Sequence, residues 1–389
     1  MKSKNKFKIL FASVFVLTNL YVSAQISGVG KQFSVEKKSW IDDSTKCEIT
    51  QWTTTGKNWH LYFNIESFID NKNVIIFSDR TGKTNLFRMS LTDGIMTQMT
   101  DETDLKQGVW HNPVQKTLWY FNNDTLKALN TTTFKHTVLF AFGKLNPESF
   151  AVTCDGKWMV YSLNKNPGFT EKNSTGPFAL FKMNLLTKEI IQISPDYGFS
   201  ISHVQTNPVD PNLISFCWQH QYREGGEGIV GNTPIRIWWN NLEGTAGGPV
   251  VPQELGLHRT HEFWFPNGKY IGFSARYLYG PNKGKQFVGY TSIDGKTLRM
   301  FPANVGAAHS QMFSDEKHWV SDLFNGSNLV LFTFEENQIA ETKVLFRHDS
   351  SWGGQPSHPH PHFSPDGKYI LFSTDKTGTP QVYTVKVNL

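Results

Sequence analysis

The chain has 389 residues, and 38 Lys and Arg against 33 Asp and Glu give a formal charge of +5. Four of those cations, Lys2, Lys4, Lys6 and Lys8, fall in residues 1–24, which hold no acid, and removing them leaves +1 for residues 25–389, not the basic surplus of a nucleic-acid binder. Aromatic residues make up 14% of the chain, helical periodicity is scarce, and no stretch beyond the first 25 or so residues is apolar enough to span a bilayer.

The N-terminus reads as a secretory leader. A Lys-rich start is followed by an apolar run from Ile9 to about Leu20, and Val22-Ser23-Ala24 forms a small-residue cleavage site before Gln25. The expectation is a signal peptide over 1–24 and a periplasmic or secreted mature protein over 25–389. No cysteine follows the apolar run, so a lipid anchor is not indicated. Cys47, Cys154 and Cys217 fit no zinc or redox spacing, and buried free thiols are the plain expectation.

From residue 73 onward a unit recurs: a turn, an apolar strand, a polar loop, a second strand and a short third strand. The clearest copy is Asn73–Asp79, Asn85–Met89 and Met96–Thr100. Further starts fall near Lys116, Lys157, Asn212, Lys269, Lys317 and Lys368, about 49 residues apart on average, the period of a propeller blade. The fold class is all-β, a single seven-bladed β-propeller. The last repeat ends after Gln381–Val387 without an outer strand, whereas Cys47–Thr53 resembles the lone outer strand Met96–Thr100. The N-terminal strand is therefore expected to complete the last blade and close the ring.

Several positions carry candidate chemistry. His60 precedes the first strand start. The long stretch 219–234 holds His220 and Arg223, and Arg236 follows it in an otherwise apolar strand, where a guanidinium can clamp a substrate carboxylate. His258 and His261 lie in Leu257–Gly268, just before the fifth start, and His309 lies in Ala307–Met312, before the sixth. Before the seventh comes Gln355-Pro-Ser-His358-Pro-His360-Pro-His362. Read as an extended strip, it places His358, His360 and His362 on one face, suited to Mn, Fe, Ni or Zn, with Gln355 able to add a carbonyl oxygen. Its plain reading is a surface loop. Equal phase in a propeller means equal depth along the channel, so His261, His309, His358 and His360 can converge from distant sequence positions.

At Thr260-His-Glu-Phe-Trp264, at His309 with Met312, and at Ser357-His-Pro-His-Pro361 with Phe363-x-Pro365-Asp366, the chain resembles the oligogalacturonate lyases of polysaccharide lyase family 22. The resemblance runs from Gly30 to the C-terminus and implies a metal-dependent lyase cleaving 4-linked oligogalacturonides by β-elimination. It implies His261 as the base and Arg236 as the catalytic arginine. It also implies one manganese-like ion on Gln355, His309, His358 and His360, with His362 outside that set. The partner implied is an acidic oligosaccharide. Arg223, His220 and His60 are weaker substrate-binding candidates. The leader, His362 and the long 219–234 stretch depart from the family pattern. The competing reading is a non-catalytic exported propeller that binds glycans or proteins.

Overall fold

The computed structural model describes residues 28–389 except 35, 104, 146, 148, 166–176, 219–234, 252–253, 255, 325 and 337. The expected leader, His220 and Arg223 therefore lie outside the described residues. Within them, regular structure is β-strand apart from one 3-10 turn, Gln355–Ser357, and no helix is long and apolar enough to cross a membrane.

Seven antiparallel sheets follow in chain order, as the repeat predicts. The second strand of each is the apolar run that marked each repeat start: Asn73–Ser78, Thr117–Asn122, Trp158–Asn164, Leu213–Trp218, Tyr270–Tyr277, His318–Leu323 and Tyr369–Thr374. Their centres are buried on both sides, so they read as continuous hydrophobic runs rather than alternating ones. Tight turns set up the hairpins. In Ser364-Pro-Asp-Gly367, Gly367 adopts φ 68 and donates its N–H to the Ser364 carbonyl at 2.9 Å; a Cβ there would stand 2.7 Å from Phe313.

The blades pack as a closed ring. Each of seven apolar clusters joins one neighbouring pair of blades: Trp59, Phe77 and Leu118 join blades 1 and 2, for example, and Ile237, Leu257 and Phe273 join blades 4 and 5. The seventh interface, Phe87 and Val74 against Leu371 and Val382, brings blade 7 back to blade 1. Full burial of one such side chain stabilises by roughly 1.5–3 kcal/mol, so the interfaces dominate the stability.

Glu48–Gln51 closes the ring beside Gln381–Lys386, pairing Ile49 with Val385, Thr50 with Thr384 and Gln51 with Tyr383. Trp52 Nε1 donates to Thr384 Oγ1 at 2.9 Å, and Thr53 Oγ1 to Gln381 Oε1 at 2.6 Å. Two further strands went unread in the sequence. Lys38–Ile41 pairs outside Glu48–Gln51 as a fifth strand, and Gln32–Phe33 pairs with Met96–Gln98 of blade 1. The N-terminal segment thus belongs to both blades that meet at the closure.

Candidate active site and metal centre

The innermost strands of blades 4, 5 and 6, Ile201–Thr206, Leu257–Trp264 and Ala307–Met312, are more polar than the strands behind them. Each loses register with its neighbour: between Ser202 and Gln205, Thr260 and Phe263, and Ala307 and Ser310. His203 and His261 sit at these irregularities with φ 50 and 53, and His360 of blade 7 has φ 46. Positive φ at a non-glycine residue is uncommon, and here it recurs at the same phase of three repeats. Its consequence is clearest at His261 and Glu262. Arg259 packs over Phe273, on the face toward blade 4, so strict alternation would turn Glu262 toward blade 6; instead His261 packs against His309 of blade 6, ring centroids 4.3 Å apart, and Glu262 is fully buried against Arg236 on the blade 4 side.

His309, His358 and His360 form a group in which one nitrogen of each lies within 4.8 Å of the others. Asp322 of the second strand of blade 6, itself buried, accepts from His309 Nδ1 at 2.9 Å and from its backbone N–H at 2.7 Å. The same carboxylate accepts from the His360 N–H at 3.2 Å. With Nδ1 engaged, Nε2 is the His309 atom left for an ion. His358 Nδ1 and His360 Nε2 are buried without a hydrogen-bond partner among the described residues. Burial and neighbouring histidines hold His360 well below the usual imidazole range, and burial first, then His309, lowers His358. Neutral imidazoles with orphaned nitrogens facing one another fit a divalent cation. Gln355 opens the 3-10 turn and lines, with His360, His203 and Tyr62, a cavity of ≈ 240 Å³.

The extended strip expected over 355–362 needs correction. Gln355–Ser357 is a 3-10 turn, His358 is extended at φ −74, and His360 is left-handed. That break in alternation separates His362 from the other two. It lies 6.3 Å from the His60 ring, and burial pushes it down to about 3. His60 also changes role. Its Nδ1 meets Ser373 Oγ at 2.6 Å and its Nε2 donates to the His360 carbonyl at 2.6 Å. Both ring nitrogens are used, so His60 supports the left-handed turn that aims His360 rather than presenting a nitrogen to a substrate.

Arg236 is buried, and its Nε and Nη2 reach Glu262 Oε2 and Oε1 at 2.9 and 3.3 Å. His203 Nδ1 reaches Glu262 Oε1 at 2.8 Å. Burial would raise Glu262, but Arg236 and His203 outweigh it and hold the carboxyl well below its ordinary range. Burial likewise opposes the charge on Arg236, and the Glu262 carboxylate beside it reverses the balance. The strand arginine expected as a free carboxylate clamp thus has two of its nitrogens committed to a partner. His203, Cys217 and Glu262 also lie close enough together to suggest a second ion site. Arg236 already takes the cation's place there, and burial keeps Cys217 a thiol. All three cysteines are free.

His261 is held well below the ordinary imidazole range, by burial first and then by His309, Arg236 and His203. Its Nδ1 has no hydrogen-bond partner among the described residues. A neutral imidazole beside a histidine metal site can accept a proton from a substrate bound against both.

Sequence reasoning passed over His203, Asp322, Glu262 and Tyr62. His203 had a usable signal: it precedes its second strand by 10 residues, as His261, His309 and His360 precede theirs by 9. Asp322 and Glu262 gave none, because each matters through a partner distant in sequence or through a bulge.

Seven blades around histidines gathered beside a buried Arg–Glu pair make a propeller with a candidate metal centre. The chain belongs to the oligogalacturonate lyase family, whose sequence model matches residues 27–388. It is 26% identical to an oligogalacturonate lyase of Dickeya dadantii, over 92% of this chain and 98% of that one. It is 24% identical to an oligogalacturonide lyase of Pectobacterium atrosepticum over the same shares. Among solved structures, an oligogalacturonate lyase in complex with manganese superposes with a TM-score of 0.82 at 21% identity, covering 93% of this chain and 98% of that one. The enzyme of Vibrio parahaemolyticus gives 0.79 at 19%, covering 92% and 99%. At those identities the superpositions speak for the fold.

Proposed function

We propose that this protein cleaves 4-linked oligogalacturonides by β-elimination, leaving a 4,5-unsaturated uronate end. The observation that carries the reading is the contact of His261 with His309, which joins a neutral imidazole to a three-histidine centre in a chain of this family. His309, His358, His360 and Gln355 would hold one divalent cation, manganese by analogy with the manganese-bound relative. That ion supplies Lewis acidity, drawing charge from the C6 carboxylate so that the neighbouring H5 becomes acidic.

The chain's own residues do the rest. His261 takes H5, its low proton affinity before substrate arrives keeping it in the basic form; the C5–H electron pair becomes the C4–C5 double bond as the C4–O4 bond breaks, and the departing O4 takes a proton from water. Asp322 fixes His309, and His60 fixes the turn at His360, so the donors need not reorganise during reaction. Glu262 and His203 lock the plane of Arg236, which then offers an oriented edge rather than a freely moving charge. The leader-like residues 1–24 support action in the periplasm or outside the cell.

The test is to follow the ultraviolet absorbance of the unsaturated product with galacturonate oligomers as substrate. Chelation should abolish the signal and manganese restore it. A chain that binds the oligomers unchanged under both conditions is the non-catalytic propeller instead.

A further inference from the structure

Arg276 lies one residue before the end of the second strand of blade 5, Tyr270–Tyr277, directly opposite His258 in the register with Leu257–Trp264. Its guanidinium carbon lies 4.0 Å from the centroid of the Phe324 ring. The same ring lies 5.9 Å from that of His261. Phe324 therefore touches both the imidazole assigned as base and a cation. The Arg276 side chain is half-buried, its Nε is enclosed without a hydrogen-bond partner, and no described carboxylate pairs with it. Arg236 differs, since Glu262 takes two of its nitrogens. Burial lowers Arg276, yet a guanidinium keeps its proton under any physiological condition. A half-buried cation held only by an aromatic face is costly unless an anion joins it.

We propose that Arg276 is a specificity residue that receives a carboxylate of the acidic sugar chain, on the ring next to the one attacked at His261. Phe324 keeps the guanidinium plane fixed, so its fork can meet the carboxylate edge-on with two parallel hydrogen bonds. A chain with one sugar at His261 presents the carboxylate of its neighbour one aromatic ring away. A neutral or esterified sugar there leaves the cation unpaired, which selects for a free uronate. This inference rests on the proposed elimination activity.

The experiment compares wild type, Arg276→Gln and Arg276→Lys, all loaded with manganese, on trigalacturonate and on trigalacturonate methyl-esterified only on the ring that adjoins the cleaved one. Arg276→Gln should raise KM for the free acid by about 10–100-fold, the loss expected for hydrogen bonds to a charged group, while kcat stays within a few-fold. Metal content and Tm should match wild type, Arg276→Lys should recover part of the loss, and esterification should erase the difference between wild type and Arg276→Gln. An unchanged KM, or a KM loss equal on both substrates, overturns the proposal. So does a large fall in Tm, which would make Arg276 a structural cation. Absence of turnover in wild type on every uronate would instead refute the activity itself.

Discussion

The carboxylate of Asp322 holds His309 at two points, ring Nδ1 at 2.9 Å and backbone N–H at 2.7 Å, and extends to the backbone of His360. One buried anion thus orients two of the three histidines that face one another. Asp322→Asn keeps the shape, but its amide can donate to Nδ1 and turn the ring proton toward the ion. Metal affinity should fall about 10–100-fold with all ligands still present. A titration of the apoprotein with manganese measures this; unaltered affinity would mean that Asp322 only braces the backbone.

His60 separates two roles that its position in the sequence left merged. It bonds Ser373 and the His360 carbonyl, so His60→Ala should weaken metal binding through the turn, without removing a ligand. Manganese titration and oligomer binding should be measured on the same protein. Loss of oligomer affinity at full metal affinity would return His60 to the substrate-contact role first read from the sequence.

Glu262→Gln should be among the most damaging single changes away from the metal. It leaves Arg236 charged and buried without its counter-ion, a loss of about 3–5 kcal/mol. Thermal or urea unfolding reads it directly, and a change below about 1 kcal/mol would imply that another anion reaches Arg236.

The repeat, the seven blades and the closing strand were legible because they rest on local patterns: apolar runs, turn residues, and a spare outer strand at the N-terminal end matching the one missing from the last repeat. The convergence of His261, His309 and His360 was legible from phase. What escaped depends on breaks in alternation. His362 left the common face because His360 is left-handed, and Glu262 reached Arg236 because the strand bulges at His261. Neither break is written in residue type. Arg276 escaped because its importance lies in the partner it lacks, which no local pattern encodes.

Acid should unfold the protein through its buried neutral histidines. His348 is fully buried, burial lowers it from 6.5 to about 4, and its Nδ1 accepts the Ser350 N–H at 3.1 Å. The unfolded chain binds its proton below about pH 6.5, the folded chain only below about 4. This contribution is therefore complete above pH 6.5, falls as the pH drops toward 4, and amounts to about 3 kcal/mol from one side chain. His348→Asn, which keeps an acceptor near Nδ1, should show a shallower fall in Tm between pH 7 and pH 4 than wild type. Parallel curves would assign the acid sensitivity to other groups.

The central claim is that His261 is the base and His309, His358 and His360 hold the ion. Metal content and elimination rate, measured together on His261→Ala and His358→Ala, test it most directly. His261→Ala should keep wild-type manganese and lose about 10²–10⁴-fold or more in rate of unsaturated-uronate formation, while His358→Ala should lose both. Loss of the metal from His261→Ala would make His261 a ligand and contradict the account, as would undiminished elimination by that variant.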